Sequence, residues 1–374
     1  MRAGLDELQD LFVRLASIRS PSRDEREIAN AVIDFVRGLG LDVHEDDTAA
    51  VTGCACGNLI VRVPGRQEGT PIALCAHLDT VPVDTPPVVV VENGVVRSDG
   101  HTILGADDKA AVAVLLLLLR DFAADPPAAA VEVVLTAGEE IGLQGAKALA
   151  VEALNARAAF VFDSEGEPGT IIVSAPTLKE VDARFTGVAA HAGIEPERGR
   201  SAIAAAARAV AALDLGRQDD ETTCNVGLIE GGSAVNVVAE RCLVRAEARS
   251  RDQEKLAALV ARMLDACSVA AAETGVDVEL DVREAFRGYE HRREGLPMRI
   301  ALAALAGIGM AARPVGGGGG SDGNVFNARG LPSVTLGVGF ERVHSPQESI
   351  RVERLAQLYE LGHALVEAAA ATAT

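Results

Sequence analysis

The 374-residue chain reads as an α/β protein in which an open, mixed-sheet domain is interrupted by an inserted, largely antiparallel one. Three observations predict this. Nearly continuous apolar runs at 71–76, 131–136 and 159–162 alternate with helical segments, as buried strands of an open sheet do. After about residue 176 the strands become alternating instead. Beyond residue 292 the buried style returns. The predicted boundaries are therefore 1–176 and 292–374 for a discontinuous domain and 177–291 for the insertion.

The elements follow in order. Apolar residues at helical spacing predict helices over 5–16 and 24–38, the second with Ile28, Ala31, Val32, Phe35 and Val36 on one face. Ser22, with Glu25 three residues on, has the spacing of an N-cap with a reciprocating carboxylate. A strand over 58–63 is closed by Pro64 and Gly65, and the buried run 71–76 is bounded by turn signals. A Pro/Val segment at 81–91, a short strand at 95–97 and the turn Gly105–Lys109 lead into an apolar helix, 109–120. That helix is too short to span a bilayer and is flanked by Asp107, Asp108, Lys109 and Arg120. Strand 131–136, a helix around 143–153 and strand 159–162, ending at Asp163, complete the first part. The insertion runs strand 181–187, helix 199–213, strands 222–230 and 238–248, helix 252–272 and strand 276–285, the order of a ferredoxin-like domain. Helix 295–307, strand 331–337 and helix 351–368 return to the first domain.

Composition excludes several functions. With 54 acidic against 35 basic side chains the formal charge is −19, which argues against a phosphate-backbone binder and so against nucleic acid as partner. Aromatics at 3%, with no tryptophan, offer little for stacking on bases or sugars. An apolar share of 48% rules against global disorder. Six cysteines in a chain of this length are not a disulfide framework, and the first residues contain no apolar signal core. The expectation is a reduced, cytoplasmic protein with no membrane segment.

The ends of the predicted strands carry the chemistry. His77 and Asp79 follow run 71–76, two apart and so on one side of extended chain, which lets a carboxylate hold one ring nitrogen while the other meets a metal. Asp107 and Asp108 precede one helix, and Glu139 and Glu140 sit between a buried strand and another. Helix capping accounts for either acidic pair alone, but not for the recurrence, nor for Asp163 at a third strand end and His344 ahead of the last helix. His77, Asp107, Glu140, Asp163 and His344 together supply what two divalent ions sharing one carboxylate need. Nitrogen and oxygen donors suit zinc, cobalt or manganese. One of Glu139 and Glu140 is then left over as a base, since adjacent residues point apart. Gly316–Gly320 lacks the following Lys-Ser/Thr of a phosphate loop and reads as a mobile loop that lets chain pass close to a ligand.

Several runs resemble one family. Ala76-His77-Leu78-Asp79-Thr80-Val81-Pro82, Leu104-Gly105-Ala106-Asp107-Asp108-Lys109 and Thr136-Ala137-Gly138-Glu139-Glu140-Ile141-Gly142 resemble the M20 co-catalytic metallopeptidases. Gly319-Gly320-Ser321-Asp322-Gly323-Asn324 and His344-Ser345-Pro346 are similar to its later segments, and the likeness is to the peptidase T (tripeptide aminopeptidase) branch. The resemblance implies an open mixed-sheet metallopeptidase domain with an inserted lid and dimerisation domain, hydrolysing short peptides by a metal-bound hydroxide. An N-acyl amino acid amidohydrolase and a degenerate peptide-binding scaffold are the alternatives.

It implies two zinc ions, or cobalt or manganese, one on His77, Asp107 and Asp163 and the other on Asp107, Glu140 and His344. Asp79 would orient His77, and Glu139 would be the general base. His191, in Ala190-His191-Ala192-Gly193, would reach a neighbouring subunit's site in a homodimer. Asn236, Arg249, Gly319, Gly320 and Ser321 would contact the peptide, Arg249 through its carboxylate. The family commonly has a cis bond at the position of Asp107-Asp108, and a Pro-Gly where this chain has Ala192-Gly193. Lys109, at a helix start, is expected to pair with Asp108 or Glu139.

Overall fold

A computed structural model describes residues 4–372; residues 1–3 and 373–374, included in the predicted domain limits, lie outside it. The chain divides into two compact units. One holds the chain up to Val173, Glu290–Gly316 and the chain from Ser321 on; the other holds Ser174–Tyr289 and Gly317–Gly320.

The first unit is built on a mixed sheet. Its order begins Val43–Glu45, Leu59–Val63, Val131–Thr136, Ile72–His77, Ala158–Phe162, Ser333–Leu336, Thr170–Ala175. The strands from Val131–Thr136 to Ser333–Leu336 run parallel, with His77 opposite Thr136 and Leu74 opposite Phe160. Every residue of Ile72–His77, Val131–Thr136 and Ala158–Phe162 is buried, which is why their sequences read as continuous apolar runs rather than alternations. The helix Ala106–Ala124 is likewise buried from Ala106 to Leu119 and packs against the helices Leu5–Ala16 and Val352–Ala371. Each Leu enclosed there contributes about 1.5–3 kcal/mol. Gly362 allows the Val352–Ala371 crossing, because a Cβ on it would lie 2.3 Å from Leu118 Cδ1.

Local differences from the sequence expectations have identifiable causes. The second helix is Arg26–Gly38 and lacks a side-chain cap, because the Ser22 hydroxyl donates instead to Asp79 Oδ2 at 2.6 Å. The Glu25 carboxylate accepts from Arg23 N at 2.6 Å and Ala55 N at 2.8 Å, so the expected capping pair is spent on tertiary contacts. Lys109 is 1% exposed and pairs with neither Asp108 nor Glu139; its Nζ donates to the Ile18 carbonyl at 2.5 Å. The Pro/Val segment includes the strand Val89–Glu92, in a small sheet ordered Phe340–Glu341, Ser349–Arg351, Val95–Ser98, Val89–Glu92.

The second unit is an antiparallel sheet ordered Gly216–Arg217, Thr222–Gly231, Arg241–Ser250, Thr177–Thr186, Asp277–Phe286. Helices Ala202–Ala211 and Gln253–Thr274 cover one face, burying Val181, Ala183 and Phe185. This is the ferredoxin-like arrangement. Ser201 caps the first helix through Ala204 N, and Asp252 caps the second through Glu254 N and Lys255 N. The uncovered face is charged: Asp182, 2% exposed, lies 3.4–3.5 Å from Arg184, Arg245 and Arg283.

The glycine run has a physical account in this unit. Gly317 N donates to Ser174 O at 2.7 Å, and Arg251 Nη1 donates to Gly317 O at 3.1 Å. A Cβ on Gly320 would lie 2.3 Å from the Phe286 ring, whereas Gly318 and Gly319 face open space. Close approach therefore explains Gly320, and nothing in the packing requires the middle of the run to be glycine.

Candidate metal centre

Ligand-type side chains gather where the parallel strands end. Because Val131–Thr136, Ile72–His77 and Ala158–Phe162 are sheet neighbours running the same way, their carboxyl ends lie side by side, where open α/β sheets place their sites. His77 closes one strand, Asp163 follows another, and Glu139 and Glu140 follow the third after Gly138. Gly138 has a left-handed φ of 69°, and a Cβ there would meet Cys54 Sγ at 2.6 Å. Asp107 enters from the turn after Gly105 with non-helical backbone, and the Asp107-Asp108 peptide is cis. His344 projects from the loop before Ser349–Arg351.

These five converge. His77 Nε2 is 3.1 Å from Asp107 Oδ1 and 3.9 Å from Asp163 Oδ1. His344 Nε2 is 3.3 Å from Asp107 Oδ2 and 2.9 Å from Glu140 Oε1. Asp107 thus turns one oxygen to each histidine. His77, Asp107 and Glu140 each offer a ligand atom within 4.8 Å of the others. The cluster is largely enclosed, His77 at 2% and Glu140 at 9% side-chain exposure, with His344 at 47% forming its open side.

Charge in this space is out of balance. Burial and the Asp107 charge push the Asp163 carboxyl well above its usual range, and burial and Asp163 do the same to Glu139. Asp107 goes the other way: burial opposes its charge, but hydrogen bonds from His344 and His77 hold it down to about 2. The same contacts with Asp107 and Glu140 lift His344 to about 10. Acids outnumber the imidazoles that could neutralise them, and all donors are nitrogen or carboxylate oxygen. The residues fit a hard or borderline divalent cation.

Second contacts fix the donors. His77 Nδ1 donates to the Asp79 main-chain carbonyl at 2.9 Å, which turns Nε2 toward Asp107 and Asp163. The Asp79 carboxylate stands farther off, at 3.6 Å, so the ring is oriented mainly by backbone. That carboxylate, fully buried, instead accepts from Glu139 N at 3.0 Å and Glu140 N at 3.1 Å. It aims the two glutamates. Asp108 accepts from His77 N at 3.1 Å.

The remaining expected residues sort differently. In the second unit, Gly193 N donates to His191 Nδ1 at 3.1 Å, so Nδ1 is the accepting nitrogen and Nε2 carries a proton on the exposed ring. Ala192 N bonds Asn236 O at 3.0 Å, which brings the His191 and Asn236 segments together. Arg249 is held by Glu247 at 2.9 and 3.0 Å. Gly319 and Gly320 belong to the same unit, Gly320 against Phe286. Ser321, expected to touch substrate, is 5% exposed; its hydroxyl caps the helix Asp322–Ala328 and pairs with Thr335 at 2.7 Å. Sequence reasoning gave no role to Asp322, whose Oδ1 is buried without a partner, or to Glu348, which is 1% exposed. Asp322 opens a short helix and Glu348 sits in a loop, so neither stands at the end of a buried strand where the other acids drew notice.

The fold and this donor cluster define a metal-dependent peptidase with an inserted dimerisation-type domain. Residues 174–275 match the M20 peptidase dimerisation domain, and 58–219 match peptidase family M28. The Bacillus subtilis protein YqjE is 40% identical over 97% of this chain and 98% of its own. The structure of aminopeptidase PepT from Bacillus cereus is 39% identical, covers 99% of both chains and superposes with a TM-score of 0.87. A tripeptidase from Staphylococcus aureus is 35% identical over all of both chains, with a TM-score of 0.91. The chain belongs to the M20 family of metallopeptidases, on its peptidase T and aminopeptidase side. No helix among the described residues is long and apolar enough to cross a membrane.

Proposed function

We propose that this chain is a binuclear aminopeptidase of short peptides, tripeptides or dipeptides. The observation that carries the reading is the split of Asp107 between two histidines, each with a further carboxylate. His77, Asp107 and Asp163 would hold one ion, and Asp107, Glu140 and His344 the other. Zinc fits these donors, as do cobalt and manganese. Bound there, such ions polarise a carbonyl and make water nucleophilic at neutral pH.

The chain's own groups do the rest. Glu139 is the leftover acid: its N–H is clamped by Asp79, and burial beside Asp163 makes its carboxyl proton-retentive. Its carboxylate takes the proton of the attacking water and returns it to the leaving nitrogen. His191, with its proton on Nε2, is a hydrogen-bond donor suited to the developing oxyanion. Arg249 would receive the peptide carboxylate in exchange for Glu247. A homodimer formed through the inserted unit, with His191 serving a second copy, belongs to the same reading. So does cytoplasmic residence, which suits six buried, unpaired cysteines.

Replacing Glu139 with alanine tests this. Turnover of a tripeptide at saturating metal should vanish while metal content stays near wild type; retained turnover removes Glu139 from the base role. Comparing free-amine tripeptides with N-acyl amino acids separates the peptidase from a deacylase.

A further inference from the structure

One buried carboxylate near the centre touches no expected ligand side chain, yet it joins the loops that carry two of them. Glu348 Oε2 accepts from Leu104 N at 2.9 Å and Gly105 N at 2.8 Å, and Oε1 accepts from Asp107 N at 3.0 Å. Glu348 lies four residues beyond His344 in one tight loop, where its own N–H bonds Ser345 O at 3.0 Å. The same two loops meet again at Ser98, whose hydroxyl lies 2.6 Å from Thr102 O and 3.3 Å from Pro346 O.

We propose that Glu348 is a positioning residue that sets the spacing of Asp107 and His344, and so tunes how tightly the centre holds its ions. This rests on the metal reading above. The chemistry requires a carboxylate. Three main-chain donors converge on two oxygens, and both oxygens are used. Glutamine has the right size but one acceptor oxygen; its NH2 would face either Asp107 N–H or the Leu104 and Gly105 pair. The turn carrying Asp107 would then lose its register against the His344 loop. No hydrogen bond to a ligand side chain is involved, so the effect is transmitted through main chain.

The test compares Glu348→Gln with Glu132→Gln. Glu132 is a buried-carboxylate control: 4% exposed, it accepts from Asn155 N at 2.8 Å and Ala156 N at 2.9 Å on one oxygen and from Arg62 Nε at 2.8 Å on the other, near the start of the strand whose far end leads to Glu139. Zinc and cobalt affinities are measured by equilibrium dialysis, the cobalt absorption spectrum is recorded, and apo proteins are melted. Loss of an outer partner of a ligand costs about 10–100-fold in affinity. E348Q is expected to lose affinity on that scale and to alter the cobalt spectrum. E132Q should lower the melting temperature without changing either. Wild-type affinity and spectrum in E348Q, or an equal loss in E132Q, overturns the proposal while leaving the metal centre standing. Failure of the wild-type protein to bind metal overturns both. Ser98→Ala loosens the same join more mildly and should weaken binding in the same direction; if E348Q does not fold, unchanged binding in S98A overturns the proposal.

Discussion

Asp79→Asn is the substitution whose consequences can be worked furthest. The fully buried carboxylate accepts from Glu139 N and Glu140 N, one on each oxygen, and from the Ser22 hydroxyl at 2.6 Å. Burial works against its charge, but the His77 ring, Ser22 and Glu139 N–H outweigh it and keep Asp79 below the usual carboxylate range. An amide of the same shape keeps one acceptor and turns an NH2 toward a donor. At least one buried N–H is orphaned, at about 1–3 kcal/mol. In a unit of this size that corresponds to roughly 2–12 °C in the apo melting temperature. The catalytic effect should be larger than stability implies, since a shift of about 1 Å in a reacting group can cost roughly 100-fold. Steady-state hydrolysis of a tripeptide at saturating metal should therefore show kcat down by about two orders of magnitude with metal content near wild type. A D79N enzyme with kcat within twofold of wild type would refute the clamp.

Other perturbations probe different parts of the chain. Gly362→Ala places a methyl 2.3 Å from Leu118 Cδ1 and should destabilise by about 1–3 kcal/mol, read by denaturant titration; a neutral result would mean the helix crossing is slack. Glu247→Gln frees Arg249 from its double contact and should lower KM for tripeptides with a free carboxylate but not for their amides; equal effects on both would remove Arg249 from carboxylate recognition. Asp121 supplies a pH prediction. Burial opposes its charge, yet Tyr359, Arg120 and His363 hold its carboxyl below the usual range. A depressed carboxyl contributes stability that is complete above the unfolded value of about 3.9 and is lost as pH falls through the folded value. D121N should be less stable at neutral pH and lose less between pH 5 and acid; parallel stability curves would contradict this.

Part of the cluster was legible because three of its five side chains stand at the ends of buried runs. His77, Glu140 and Asp163 stand just past strands whose unbroken apolar character marks them as central and parallel. Once those strands are neighbours, convergence follows from sheet geometry. The contacts that aim the donors leave no such trace. Ser22 looks like a helix cap and serves Asp79; Asp79 looks like a partner for the His77 ring alone and also receives the N–H groups of Glu139 and Glu140. Glu348 looks like a loop acid and gathers three remote N–H groups. A carboxylate that accepts from main chain has no pattern in its partners, because any residue has an N–H. The small sheet was missed for a related reason: Val89–Glu92 is an edge strand with no buried face to impose alternation.

The excursion of Gly317–Gly320 bears on how this protein can be taken apart. A designer exchanging the inserted unit between relatives would cut at residues 173 and 290 and treat everything between as a cassette. Such a swap leaves behind four residues that were seated on Ser174, Arg251 and Phe286. Chimeras should work only when this small tetrapeptide travels with its host, so the two units are modular in shape but stitched together as genes.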